Sequence, residues 1–157
     1  TLAQALPEGS KMDWIIEKAV ELGVAGIQPL AAQRSVVRLS AERAEKRHAH
    51  WQGVIVAASE QCGRNRLARL APLMDFDRFI ATQDAAPSIL FSPRATQSLA
   101  DWARTAGPQA VSLMVGQEEQ TAVRAGTLAL SLGPRVLRTE TAGLAAIAAL
   151  NALWGQL

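Results

Sequence analysis

Leu132-Gly133-Pro134-Arg135-Val136-Leu137-Arg138-Thr139-Glu140-Thr141-Ala142 compresses a strand end, a rigid Gly-Pro turn, an Arg-Thr-Glu triplet expected to be buried, and a helix start into eleven residues. Thr139 or Thr141 is placed to cap that helix, and the free N–H groups of its first turn would form a hydrogen-bonding floor for a polar small molecule. The same residues also read as a capped helix with Arg138 paired to an acid. Downstream, the pattern predicts a helix from about Glu140 to Trp154. Its Ala142, Gly143, Ala145, Ala146, Ala148 and Ala149 would let another helix or a sheet approach closely. Upstream, Ser88 to Phe91, Val111 to Val115 and Leu128 to Leu132 are short apolar runs of strand length. Ser98 to Thr105 and Gln117 to Ala125 read as short helices between them. Strands alternating with helices predict an α/β fold with a mostly parallel sheet covered on both faces.

The first half of the chain fits the same scheme. Ser10 and Asp13 mark a helix start, and Ile15, Ile16, Ala19, Val20 and Leu22 make an apolar face over Lys11 to Leu22, with Gly23 at the C-cap position. Val24 to Leu30 reads as a short buried strand interrupted by Pro29, and Gln33 to Leu39 as a second extended or loop segment. Ser40 opens a long helix from Ala41 to about Cys62, with Trp51, Val54, Ile55 and Ala58 on its apolar stripe and Gly63 at its end.

Composition narrows the function classes. The 157 residues are 49% hydrophobic and 19% charged, which suits one compact domain and argues against disorder. No apolar run reaches the roughly 18 residues needed to span a bilayer, and Thr1 to Gly9 lacks the pattern of a secretory signal. A soluble, cytoplasmic protein without membrane association is expected. A single cysteine, Cys62, and two histidines, His48 and His50, give no metal-ligand spacing, so no metal is expected. Cys62 reads as a small buried hydrophobe more than as a nucleophile. Neither a G-x-G-x-x-G nor a P-loop nor a G-x-S-x-G elbow is present, which counts against dinucleotide oxidoreductases, P-loop NTPases and α/β-hydrolases. The net charge of +2 is unevenly spread: residues 31 to 70 carry +5 and the rest −3. That basic stretch reads either as a phosphate-binding face or as a solvated helix face offset by Glu42 and Glu45.

Four motifs, in order, resemble one family. They are Lys11-Met12-Asp13-Trp14-Ile15-Ile16-Glu17-Lys18-Ala19-Val20-Glu21-Leu22-Gly23-Val24, then Gln33-Arg34-Ser35-Val36-Val37, then Glu60-Gln61-Cys62-Gly63-Arg64, and the stretch from Leu132 to Ala142. Together they look like the signature set of the RsmE-type 16S ribosomal RNA (uracil-N3) methyltransferases, over nearly the whole chain. The resemblance implies a SPOUT α/β knot, with a C-terminal trefoil knot, that binds S-adenosyl-L-methionine and works as a homodimer. The implied activity is methylation of N3 of a uridine in 16S ribosomal RNA, free or in the small ribosomal subunit. A non-catalytic knotted RNA-binding or ribosome-assembly module is the alternative.

Carried over residue by residue, the cofactor pocket would comprise Phe91, Ser92, Met114, Val115, Gly116, Leu132, Gly133, Val136, Leu137, Arg138 and Thr139. Arg138 and Glu140 are the candidate catalytic residues. Arg138 would stabilise charge on the base, and Glu140 would help remove a proton. Arg34, Ser35, Glu60, Gln61 and Arg64 are the candidate RNA contacts. The family's N-terminal PUA-like RNA-binding β-barrel has no counterpart ahead of Thr1, so residues 1–157 are expected to be the methyltransferase domain alone. The family also follows its second strand with a Gly-Pro-Glu-Gly-Gly loop. Here Val115-Gly116 runs into Gln117-Glu118-Glu119, so several loop residues are expected to be missing there.

Overall fold

A computed structural model of the chain describes residues 1–31, 40–82, 86–116, 122 and 126–156. In chain order the elements are β1 (Leu2–Ala5), α1 (Lys11–Glu21), β2 (Gly26–Ala31), α2 (Ala41–Gln61), β3 (Arg69–Leu70), β4 (Met74–Asp75), α3 (Phe76–Ala81), β5 (Ser88–Phe91), α4 (Leu99–Ala106), β6 (Ser112–Val115), β7 (Leu128–Leu130) and α5 (Thr139–Leu153). The strands form one sheet in the order β3-β2-β1-β6-β5-β7, with β4 also paired to β2. Every pairing is parallel. The α/β reading with a parallel sheet therefore holds.

Side chains alternate across this sheet, as the strand period of two requires. Leu2, Ile27, Ile89, Leu113, Val115 and Leu130 join the core formed with α1, α2, α4 and α5. Ala3, Leu30, Leu90 and Met114 point the other way, against Phe76 and Phe79 of α3 and against Ala122. Both faces are covered. Ile15, Ile16, Ala19 and Val20 of α1 have no exposed surface, and burial of each of the larger three, Ile15, Ile16 and Val20, stabilises the fold by about 1.5–3 kcal/mol relative to its exposed state.

The expected helix boundaries agree within a residue or two, while the local caps differ in part. Ser40 and Ser98 accept hydrogen bonds from the amides of Arg43 at 3.4 Å and Asp101 at 3.0 Å. Ser10 precedes α1 but makes no side-chain cap bond. At the far end of α1, Gly23 N–H donates to Val20 O and Val24 N–H to Ala19 O, a Schellman closure that requires the positive φ of +83° at Gly23. Cys62, expected to be buried, is exposed just beyond α2. The segment expected as a helix over Gln117–Ala125 lies outside the described residues except for Ala122, as does the extended segment Gln33–Leu39.

Pro29 sits inside β2 without breaking it. Along β2 the carbonyl of Ile27 accepts from Ala71 N–H on the β3 side, and that of Leu30 accepts from Leu6 N–H on the β1 side. Pro29 thus turns its missing N–H toward the break between β3, paired at Gly26 and Ile27, and β4, paired at Leu30 and Ala31. The amide of buried Gln28 bridges the break, its Nε2 donating to the carbonyls of Pro29 at 2.9 Å and Pro72 at 2.7 Å.

Candidate cofactor and catalytic site

In a parallel sheet the strands end on a common rim, and ligands of open α/β sheets bind outside those carboxyl ends. Phe91-Ser92 leaves β5, Val115-Gly116 leaves β6, and the chain beyond β7 crosses the rim through Ser131 to Leu137 before α5 begins. Ser92 N–H donates to Leu130 O and Leu99 N–H to Ser131 O, which lock these exits together. A slot of about 60 Å³ opens between them, lined by Phe91, Ser92, Pro93, Leu132, Gly133, Arg135, Val136, Leu137 and Ala142. Six of the residues expected to hold the cofactor therefore share one cavity. Its volume is a fraction of the several hundred Å³ that a nucleoside-sized ligand fills. The next segment along β6, residues 117–121, lies outside the described residues, as does the Gly116–Gln117 junction.

The walls suit an adenosyl group. Phe91, Leu132 and Leu137 are apolar, and Gly133 holds φ at +101° with nothing within 4 Å of where a Cβ would stand, so its backbone is open to a ligand. Met114 and Val115 are fully buried in β6, and the Met114 side chain belongs to the core against α3. Only their backbone is available at the rim. Val136 is 78% exposed, the mark of an apolar side chain without a covering partner among the described residues.

The Arg-Thr-Glu triplet departs from expectation. Arg138 is exposed rather than buried, and it is itself the residue preceding α5, with its carbonyl accepting from Thr141 and Ala142 N–H. Neither Thr139 nor Thr141 caps the helix, because no side-chain cap bond exists at this end. Thr139 instead donates its hydroxyl to Glu140 Oε2 at 3.3 Å. Glu140 is the inner member of a charge cluster: its Oε1 lies 2.9 Å from Lys11 Nζ and 4.0 Å from Arg138 Nη1. Hydrogen bonding from Lys11, and then from its own backbone N–H, holds the Glu140 carboxyl below the usual carboxylate range. A carboxylate stabilised in this way is a weaker base than a free one. No local spacing pairs Lys11 with Glu140, because the two stand near opposite ends of the chain.

The candidate RNA contacts do not gather at the slot. Arg34 and Ser35 lie outside the described residues. Helix α2 passes the rim near His50 and Trp51, which bond Asp13 in the first turn of α1, and runs back beside α1, so Glu60 and Gln61 at its end lie roughly 15 Å below that level. Both are exposed there. Arg64 turns inward: its Nη1 donates to the carbonyls of Val20 at 2.9 Å and Val24 at 3.0 Å, closing the C-terminus of α1. That is a structural duty, which the expectation of an RNA contact did not include. Farther along α2, Lys46 pairs with Glu42 at 2.8 Å on the solvated face.

Residues 1–151 match the family model for the RNA methyltransferase domain. The chain belongs to that family. Within it, the chain is 32% identical over 164 residues to a ribosomal RNA small subunit methyltransferase E of Buchnera aphidicola, covering 99% of this chain and 66% of that protein. It is 32% identical over 170 residues to the protein of the same name from Bacillus subtilis, covering 96% and 64%. The crystal structure of a ribosomal RNA small subunit methyltransferase E from Neisseria gonorrhoeae bound to S-adenosyl methionine is 38% identical, with a TM-score of 0.86 over 98% of this chain and 65% of that one. The chain thus spans just under two thirds of the length of the relatives it matches. Among the described residues no helix is long and apolar enough to cross a membrane, and no three His, Cys, Asp or Glu side chains converge as metal ligands.

Proposed function

We propose that this chain is the methyltransferase domain of an enzyme that transfers a methyl group from S-adenosyl-L-methionine to N3 of a uridine in 16S ribosomal RNA. One observation carries the reading. The slot assembled by Phe91, Ser92, Leu132, Gly133, Val136 and Leu137 stands at the carboxyl rim of the sheet in a chain 38% identical to a relative crystallised with S-adenosyl methionine.

When bound, the cofactor supplies an electrophilic methyl group on a sulfonium. The protein's part is alignment and electrostatics. Phe91, Leu132 and Leu137 would sandwich the adenine, and the open backbone at Gly133 would read its edge. Arg138, exposed and next in sequence to the slot-lining Leu137, would meet the negative charge that spreads over the uracil carbonyls when N3 loses its proton. The implied trefoil knot belongs to this reading. A homodimer, action on ribosomal RNA or the small subunit, and a cytoplasmic location complete it. Glu60 and Gln61 would then touch RNA at a distance from the reacting base.

Calorimetric titration of the domain with S-adenosylmethionine tests this. Micromolar binding at one site per chain, lost in Gly133→Phe, together with methyl transfer to 16S ribosomal RNA or small subunits, is the expected result. Absence of binding by the folded domain would overturn it and leave the non-catalytic RNA-binding module. Sedimentation at several concentrations checks the dimer, which a constant monomer mass would refute.

A further inference from the structure

Lys11 occupies the first position of α1, where the helix dipole disfavours a cation. A lysine placed there has an electrostatic cost that the helix does not repay, and local conflicts of this kind concentrate at functional sites. The compensation comes from a different helix. Glu140, in the first turn of α5 where the dipole favours an anion, places Oε1 2.9 Å from Lys11 Nζ. Exposure orders the cluster: the Glu140 side chain is 17% exposed, Lys11 47% and Arg138 80%. One inner carboxylate therefore holds two outer cations, with a net positive charge facing solvent. Both helices begin at the carboxyl rim, and Ala142, which lines the slot, stands about 200° around α5 from Glu140, so the ion pair lies beside the slot and not in its wall.

We propose that Lys11 is a catalytic residue of the methyl transfer, its ammonium donating to a carbonyl oxygen of the target uracil while Glu140 acts as the positioning residue that aims it. This rests on the reading of the slot given above. The N3 proton leaves to solvent water, and the charge left on the imide is shared by N3 and the flanking oxygens, where Lys11 and Arg138 meet it. The N3 lone pair then forms the bond to the methyl carbon as the carbon–sulfur bond breaks. Its electron pair stays on sulfur, which becomes a neutral thioether. Two cations on one carboxylate suit an anion that exists only on the reaction path, because they strengthen as the charge develops.

The test compares the unsubstituted chain with Lys11→Met, Lys11→Arg, Glu140→Gln and the Lys11→Met/Glu140→Gln double variant, using methylation of 16S ribosomal RNA or small subunits and calorimetry with S-adenosylmethionine. Lys11→Met should lower kcat by about 100-fold with little change in cofactor affinity or KM. Its deficit should narrow as pH rises, since hydroxide then removes the N3 proton without help. The charged groups linked to Lys11 are Glu140 and Arg138, and both are retained in that variant. Lys11→Arg should recover part of the rate, Glu140→Gln should fall between, and the double variant should be no slower than Lys11→Met. An equal deficit at every pH, or a rate loss that tracks lowered thermal stability across the set, would make the pair structural and overturn the inference. If the unsubstituted chain fails to bind cofactor or to methylate uridine, the functional reading itself falls, and this inference with it.

Discussion

Replacing Arg64 by Met separates a structural guanidinium from an RNA-binding one. In the fold, Arg64 Nη1 donates to the carbonyls of Val20 and Val24 at the C-terminus of α1. Val20 O keeps a second donor in Gly23 N–H, so the loss falls mainly on Val24 O, whose residue is 6% exposed. Hydrogen bonds from charged donors contribute about 1.5–3 kcal/mol each, and the lower end applies to a half-exposed side chain. Met keeps the apolar stem and removes only the head. The expected cost is about 2 kcal/mol, which for a domain of this size lowers Tm by roughly 4–8 °C. Urea unfolding followed by tryptophan fluorescence should show the midpoint shifted and the slope unchanged. Arg64→Lys should recover part of the loss, because an ammonium reaches the same carbonyls without the planar fork. A variant with wild-type Tm and urea midpoint that loses RNA methylation would refute the argument and return Arg64 to the RNA face.

Three further perturbations probe the rim. A Cβ at Gly143 would stand 2.8 Å from Leu2 Cδ1 and 3.2 Å from Val115 Cγ2, both fully buried. Gly143→Ala should thus lose up to about 2 kcal/mol of stability, overpacking of about 1–3 kcal/mol set against the roughly 1 kcal/mol gain in helix propensity, as read by urea midpoint. Gly133→Ala meets no atoms, so its effect is backbone strain of about 1–3 kcal/mol at φ +101°: Tm should fall by several degrees and cofactor affinity in calorimetry should weaken about tenfold. Glu140 has a lowered pKa in the fold, so its pairing stabilises above its unfolded pKa of about 4.3 and that contribution is lost as pH falls through the folded value. Urea midpoints across that acid range should drop less in Lys11→Met than in the unsubstituted chain. An equal drop would show that the ion pair does not carry the effect.

Periodicity and punctuation made much of the fold legible. Ser40, Ser98, Gly23 and Gly63 bracket helices whose apolar faces repeat at the helical period, and Ser88 to Phe91 is a strand residue for residue. Strand β1 was invisible to that reading. Leu2-Ala3-Gln4-Ala5 has two alanines and a glutamine, poor strand formers, yet Leu2, Ala3 and Gln4 are completely buried because β2 and β6 flank them in the sheet centre. Likewise β3, β4 and α3 are too short to show a period, and they exist because β2 and the second core layer give them partners.

The sequence by itself determined the α/β class, the main helices, and through four ordered motifs the family and the loops that form the slot. Local spacing carries the class and the helices, since caps, glycine turns and apolar stripes act within a few residues, while the family and the slot loops rest on the resemblance of the motifs. Tertiary structure alone decided which of the motif residues meet. Folding laid α2 along the sheet and carried Glu60, Gln61 and Arg64 away from the slot, while it brought Lys11 to Glu140 across 129 positions of chain. A charge has no period and its partner no fixed spacing, so an ion pair between two helix starts becomes visible only when the parallel sheet sets both on one rim.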